Sequence, residues 1–544
     1  MNGRHKLILL AILLLAAFLR LYKISEVPPG VNRDEASIGY TAYSLLQTGK
    51  DEYGRTFPLS FQSFGDWKLP LYIYTTVPFV KLFGLNELAV RLPSAIAGIM
   101  TVLLTYLLVL ELFEGKKSFI GHWVLSSGFL AILSALFLAL SPWHIHLSRV
   151  ESESNVAVFL TVAATLFFLK GLKQKPIFVA LSLPLFALTY YTYHGNHVFT
   201  TLFLIGLCVL YHKQIPRTKI VIGSALLSIV LVLIILSATL LSADKTKLSG
   251  ISIFGDSYVV HGNIELPRTD HPDPNNIIAR LTHNRFTYAA ETVAQNYIKA
   301  FSPEFLFIKG GGNRAHNIPN FGNLYLVEAP FFYLGIFLLL FAAFLKNSTF
   351  DIRHSTFLFW WLLISPVAAS ITKDAPHTNR MFVIFPLPPI LVALGLVWLG
   401  TYLPKQKLLR GFIVVLLALA FSANIALYLD RYFVHFPLAE TNNWGIKYKK
   451  LNEILSAEEN KTKHLVITNP EYSPYIFLLF YSRFDPAMYQ KTAMRYPPTD
   501  DAFVHVKAFG RFEFRAIDWK TDPQLSDTLL VDINQWKVSD TGVK

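Results

Sequence analysis

The stretch HKLILLAILLLAAFLRLYKISEVPPGVNRDEA, residues 5–36, sets how the rest of the chain is read. Its first half, Leu7 to Tyr22, is an apolar run of nearly the length needed to cross a hydrocarbon core about 30 Å thick. Two adjacent carboxylates, Asp34 and Glu35, follow within a dozen or so residues. A carboxylate beside lipid is costly to desolvate, so such groups are kept for proton transfer, metal binding or a cationic partner. The competing local reading is a helix start, with Asp34 capping a helix from Glu35 to Leu46 and Glu35 favouring its dipole. The basic start and apolar run are those of a signal peptide. Arg20, Leu21 and Tyr22 nevertheless stand where small residues would mark cleavage, so the segment is expected to be retained as an anchor.

The whole chain repeats this pattern. It is 53% hydrophobic and only 16% charged, against about 25% charged in soluble domains. A polytopic α-helical membrane protein is expected, with about eleven spans: Leu7–Tyr22, Leu88–Phe113, His122–Leu140, Asn155–Leu169, Pro176–Tyr191, Val198–Tyr211, Ile220–Leu241, Leu324–Leu345, Thr356–Ile371, Phe382–Tyr402 and Phe412–Tyr428. The net charge of +13 does not point to nucleic acid, because Lys and Arg sit in short clusters between apolar runs. A single cysteine, Cys208, excludes an intrachain disulfide.

Charge in the short loops orients the chain. With the N-terminus in the cytoplasm, the inner segments carry fifteen basic residues, among them Arg4, Lys6, Lys116, Lys117, Lys346 and Arg353, and the short outer loops only Arg149, Lys373 and Arg380. That asymmetry follows the positive-inside rule and places Asp34 and Glu35 outside a plasma membrane. The expected organisation is a transmembrane domain, 1–429, with a first outer loop, 23–87, and a large outer loop, 242–323, followed by an extracytoplasmic domain, 430–544. The first loop contains Leu69–Phe83, which Pro70 and Pro78 should break into interfacial helix. In the tail, His464–Thr468 and Thr528–Asp532 read as strands and Tyr475–Phe484 as a helix, giving a small α/β domain.

The outer ends gather polar residues: His144, His146, Arg149, Glu151 and Glu153; Tyr190, Tyr193, His194 and His197; and Lys373, His377 and Arg380. Aromatic residues and histidines gather at any membrane interface. Arginines retained on the side where positive charge is scarce point instead to an anion, either a carboxylate or a phosphate. The pattern fits a reaction on a lipid-linked phosphate ester, in which a carboxylate activates an acceptor hydroxyl while cations stabilise the departing phosphate. No cofactor is required; a divalent metal is compatible but not favoured, since the histidine spacings match no ligand motif. A transporter or flippase for a lipid-linked substrate is the alternative, but its polar groups should lie near midspan, where this chain is apolar.

The residues Asp34-Glu35, Lys68-Leu69-Pro70, Leu82-Phe83-Gly84-Leu-Asn86 and Arg91-Leu-Pro-Ser-Ala-Ile-Ala-Gly98 resemble the C-type glycosyltransferases, in particular the branch of dolichyl-phosphate-mannose protein mannosyltransferases and the lipid A aminoarabinose transferase. The resemblance runs from about Leu7 to Leu210 and is mainly topological beyond. It implies an inverting transfer from a polyprenyl-phosphate sugar to a lipid, glycan or protein acceptor, with Asp34 as base and Glu35 as its acidic neighbour. Lys68 maps onto the lysine of a Lys-Pro motif that contacts donor phosphate, with Leu69 intervening here, and Arg91 onto a functional arginine of the mannosyltransferases. Arg380 joins them as a phosphate contact, and Tyr40, His144, Arg149, Glu151, His194 and His377 complete the expected pocket. Repeats of the MIR type are missing from 242–323, which argues against the eukaryotic protein-mannosylating pattern.

Overall fold

The computed structural model describes residues 3–113, 118–120, 123–125, 127–241, 252–254, 257–344, 352–499 and 503–541. Lys116, Lys117 and Lys346 of the charge count lie outside them. A helix occupies each of the eleven apolar stretches: Gly3–Leu21, Glu87–Leu112, Ser127–Leu140, Glu153–Lys173, Pro176–Thr189, Gly195–Tyr211, Lys219–Leu241, Ala329–Phe344, Ile352–Ile364, Leu387–Thr401 and Lys407–Asp430. Among the described residues, four helices are long and apolar enough to cross a membrane by themselves: Glu87–Leu112, Glu153–Lys173, Lys219–Leu240 and Lys407–Ala439. Ser127–Leu140 with Pro142–Arg149, bent by 56°, makes a fifth if the pair is one span. Helices such as Pro176–Thr189, 14 residues long, reach about 21 Å at 1.5 Å per residue, so length alone does not yield eleven crossings. The protein is a multi-pass membrane protein.

The chain folds as two compact units. One comprises Met1–Tyr22, Ser94–Ser237 and Leu248–Val434; the other comprises Lys23–Pro93, Ala238–Lys247 and His435–Lys544. The division therefore falls elsewhere than at 429/430, because the first long loop belongs with the tail.

The first unit is helical. Ala329–Phe344 and Leu387–Thr401 pack so closely that a Cβ on Gly335 would overlap the Leu391 backbone, and one on Gly395 the Phe331 backbone. Small residues at such crossings let helices approach where lipid gives no hydrophobic drive to associate. Lys219–Leu240 and Lys407–Ala439 are strongly apolar, yet only 11% and 6% of their most apolar windows are buried. Such helices suit a lipid surface.

The second unit begins with helix Arg33–Thr48, capped by Asn32 at its start and by Gly49 in the left-handed conformation at its end (φ 69°). A hairpin follows, β1 (Phe61–Ser63) and β2 (Asp66–Lys68), pairing Phe61 with Lys68. Helix Pro70–Phe83 uses Pro70 in its first turn and continues through Pro78, so the break expected there does not occur. The tail forms a mixed sheet of β3 (His464–Ile467), β4 (Met494–Arg495), β5 (Val506–Phe509), β6 (Phe512–Phe514), β7 (Thr528–Asp532) and β8 (Lys537–Asp540), in the order β8-β7-β3-β6-β5-β4. Strand β3 runs parallel to both β6 and β7. The expected tail helix is Pro474–Ser482, with a second, Pro486–Thr492, after it. Two glycines bind loop to tail: Gly39 admits the Phe480 ring, and Gly30 (φ 76°) lies against the backbone of Trp444 and Ile446, where any side chain would collide.

Candidate functional site

Asn32 is the cap of helix Arg33–Thr48, not Asp34 as the local reading had it. Its Oδ1 accepts the Glu35 N–H at 2.8 Å, and Glu35 Oε2 accepts the Asn32 N–H at 3.2 Å. This reciprocal box satisfies two otherwise orphaned donors. It turns Glu35 inward, where it is fully buried. Arg91 meets it in a bidentate fork, Nε to Oε1 and Nη2 to Oε2, both at 2.8 Å. The same guanidinium donates from Nη1 to the carbonyls of Ile24 (2.7 Å) and Pro28 (3.0 Å) and from Nη2 to that of Gly30. All five N–H donors of Arg91 are thus engaged. Its work in this conformation is to tie segment 24–30 to the start of the Asp34 helix. Glu87, one helical turn before Arg91, accepts instead from Lys449 at 2.9 Å.

Asp34 is left on the open side of the same helical turn, its side chain 51% exposed. Lys68, at the end of β2 and with a side chain only 6% exposed, donates from Nζ to Asp34 Oδ1 at 2.6 Å. Asp66 Oδ2 lies 3.9 Å from the same nitrogen. Leu69, inserted before Pro70, is the residue preceding the next helix, so Lys68 sits just ahead of a helix start. The hairpin is held on the Asp34 helix by a 2.5 Å contact between the Ser37 and Ser63 hydroxyls. Arg33 covers the Phe64 ring at 4.8 Å and Arg55 the Trp67 ring at 4.9 Å. The second unit therefore brings Asp34, Glu35, Lys68 and Arg91 together. Tyr40 belongs to this unit too, but its hydroxyl is spent on the Phe484 carbonyl at 3.1 Å, and burial pushes its pKa upward. It is a packing residue between helix and tail.

His144, Arg149, Glu151, His194, His377 and Arg380 all belong to the first unit. Arg149 is fully buried, donating to the Leu19 carbonyl at 2.8 Å beneath the Phe433 ring. His144, also fully buried, meets the Arg20 guanidinium through Nδ1 at 2.9 Å. Glu151 precedes Ser152, which caps helix Glu153–Lys173. His194 stands before helix Gly195–Tyr211, its ring 5.5 Å from that of His197. The His377 ring lies 5.3 Å from that of His316, tilted by 56°, and burial with His316 and Arg380 beside it holds its pKa well below the usual imidazole range. Arg380 donates to the Thr372 hydroxyl at 2.6 Å and reaches Asp374 at 3.5 Å.

No family model matches the chain. Two solved structures superpose over most of it. The archaeal oligosaccharyltransferase AglB from Archaeoglobus fulgidus, in complex with an inhibitory peptide and a dolichol-phosphate, aligns with 88% of this chain and 64% of its own at a TM-score of 0.51 and 12% identity. ArnT from Cupriavidus metallidurans, bound to undecaprenyl phosphate, aligns with 89% of this chain and 85% of its own at a TM-score of 0.51 and 13% identity. The chain has the fold of the C-type membrane glycosyltransferases. By sequence it is 26% identical over 255 residues to the Bacillus subtilis (strain 168) protein named "Putative mannosyltransferase YycA", a match spanning 46% of this chain and 34% of that relative.

Sequence reasoning missed two features of this structure. The Asn32-x-x-Glu35 spacing was legible as a capping box. The other is the pair of buried carboxyls Asp51 and Glu52, set against the buried Tyr475 and Tyr489 and the half-buried Arg495 of the tail, for which no local motif exists.

Proposed function

We propose that the protein is an inverting glycosyltransferase that moves a sugar from a polyprenyl-phosphate donor to an acceptor hydroxyl at the outer membrane surface. The observation that carries this reading is the Asp34–Lys68 pair: a half-exposed carboxylate and an ammonium 2.6 Å apart, positioned by the buried Glu35–Arg91 fork. The solved structures of AglB with a dolichol-phosphate and of ArnT with undecaprenyl phosphate, which share the fold, support it.

In the resting arrangement the Lys68 charge is spent on Asp34, which makes Asp34 a weaker base. An arriving donor phosphate competes for Lys68, and as it takes that charge Asp34 regains its basicity. The acceptor oxygen then attacks the anomeric carbon from the face opposite the phosphate. Its proton passes to Asp34, the bond from carbon to phosphate oxygen breaks, and the electron pair leaves on polyprenyl phosphate beside Lys68. Arg91 acts through Glu35 as a positioning residue.

The test is transfer from a polyprenyl-phosphate sugar by the purified full chain in lipid. Lys68→Met should raise the donor KM strongly, with Lys68→Arg retaining more activity, whatever acceptor is supplied. A Lys68→Met protein that uses the donor as well as the parent would remove the phosphate role and favour the transporter reading.

A further inference from the structure

Just past the Asp34 helix, the chain turns at Gly49 and buries two consecutive carboxyls. Glu52 is 1% exposed. Its Oε1 meets the Tyr475 hydroxyl at 3.4 Å, while Oε2 is buried with no hydrogen-bond partner. The Glu52 carbonyl accepts from Arg495 Nη2, also at 3.4 Å. Arg495 lies 4.2 Å above the Tyr53 ring, and its Nε, like the Tyr489 hydroxyl, is buried without a partner. Asp51 has one better-satisfied oxygen: its Oδ1 accepts the backbone N–H groups of Tyr53 (2.9 Å) and Arg55 (2.8 Å), while its Oδ2, like Glu52 Oε2, is buried with no hydrogen-bond partner. Glu52 is thus a carboxyl held in the interior by long contacts and one unmatched oxygen, far less than an ionised group needs there. The loop that holds Glu52 packs on the hairpin that ends in Lys68: Arg55 lies over the Trp67 ring at 4.9 Å, and Tyr475, the partner of Glu52, meets Phe64 edge-on at 6.1 Å. The Lys68 ammonium, shared by Asp34 and Asp66, pulls the Glu52 pKa down from there.

We propose that Glu52 is a positioning residue for the Lys68–Asp34 pair: enclosed by Tyr475, Tyr489 and Arg495 of the tail, it sets how much of the Lys68 charge remains for Asp34 and for an incoming phosphate. This rests on the glycosyltransferase reading for its consequence, though not for its coupling. As a neutral acid Glu52 leaves Lys68 to two carboxylates, whereas ionised it makes a third claimant and adds negative charge where a phosphate must arrive. Burial favours the neutral form, pushing the Glu52 pKa up to about 8, with Arg495, the Tyr475 hydrogen bond and Lys68 pulling down and Asp51 pushing up. The remaining titratable groups facing it, Tyr40, Tyr53 and Tyr489, are themselves shifted upward by burial. The tail is then part of the reacting unit, because it supplies the walls that keep this acid neutral.

The coupling is tested on the full chain in lipid by infrared difference spectroscopy across a pH titration. A protonated-carboxyl band absent from Glu52→Gln identifies the group. Lys68→Met and Tyr475→Phe each remove an interaction that favours the charged form, so each should move the midpoint of that band to higher pH. A band that titrates in the ordinary carboxylate range, or a midpoint that neither variant moves, overturns the proposal. Activity provides a second readout. With a midpoint near 8, about nine-tenths of Glu52 is ionised at pH 9, so the parent's donor KM should rise several-fold from pH 7 to 9, and Glu52→Gln should abolish that rise. An identical rise in Glu52→Gln also overturns it; the donor is a phosphodiester and does not titrate there. A parent that uses no polyprenyl-phosphate donor defeats the glycosyltransferase reading instead, and the infrared shifts still decide the coupling.

Discussion

Replacing Arg91 by Met should destabilise the second unit far more than it changes phosphate recognition. The substitution removes the fork on Glu35 and the bonds to the carbonyls of Ile24, Pro28 and Gly30. It leaves Glu35, with no exposed side-chain surface, as an uncompensated buried charge. Breaking such a pair on one side costs about 3–5 kcal/mol, equivalent to roughly 6–20 °C in unfolding temperature for a unit of 150–250 residues. The double variant Glu35→Leu/Arg91→Met removes the stranded charge. It still leaves three carbonyls without their donor and Asn32 N–H without its acceptor, so it should recover only in part and remain below the parent. The assay is the temperature at which half of the detergent-solubilised protein leaves its monodisperse chromatographic peak, with the order parent, double variant, Arg91→Met. An Arg91→Met protein as heat-stable as the parent but with a raised donor KM would refute the anchoring role and restore Arg91 as a phosphate contact.

Asp34→Asn keeps shape while removing basicity, and should lower turnover by about a hundred- to ten-thousand-fold with little change in donor binding; near-normal transfer would end its role as base. Cysteines at exposed Thr282 and Ser526, in a Cys208→Ala background, should react with an impermeant reagent applied to intact cells; labelling only after lysis would reverse the orientation. Glu52 also makes stability depend on pH. With its folded pKa raised to about 8 from 4.5, the folded state holds a proton that the unfolded chain has released between those values. Its contribution is complete below about pH 4.5 and is lost as pH rises through 8. Glu52→Gln should flatten that part of the parent's stability profile, and an unchanged slope would show that Glu52 ionises normally.

The membrane class and the helix positions were legible in the sequence, because partition into lipid depends on local composition and run length. Each of the eleven apolar stretches holds a helix, although Trp123–Leu125 at the start of His122–Leu140 is a strand, and the tail strands His464–Ile467 and Thr528–Asp532 fall where the sequence placed them. Asp34, Glu35, Lys68 and Arg91 could be nominated by residue type and resemblance. Their division of labour could not. Arg91 and Glu35 are 56 positions apart, and whether a guanidinium holds a carboxylate or a phosphate depends on which of them packing buries beside it. The Glu52–Tyr475 contact spans 423 positions, and only the docking of the tail on the first loop buries that acid. Sequence carries the terms that each residue pays locally, namely transfer to lipid, capping and charge bias; ion pairing and desolvation belong to pairs of residues, and only the tertiary structure forms the pairs.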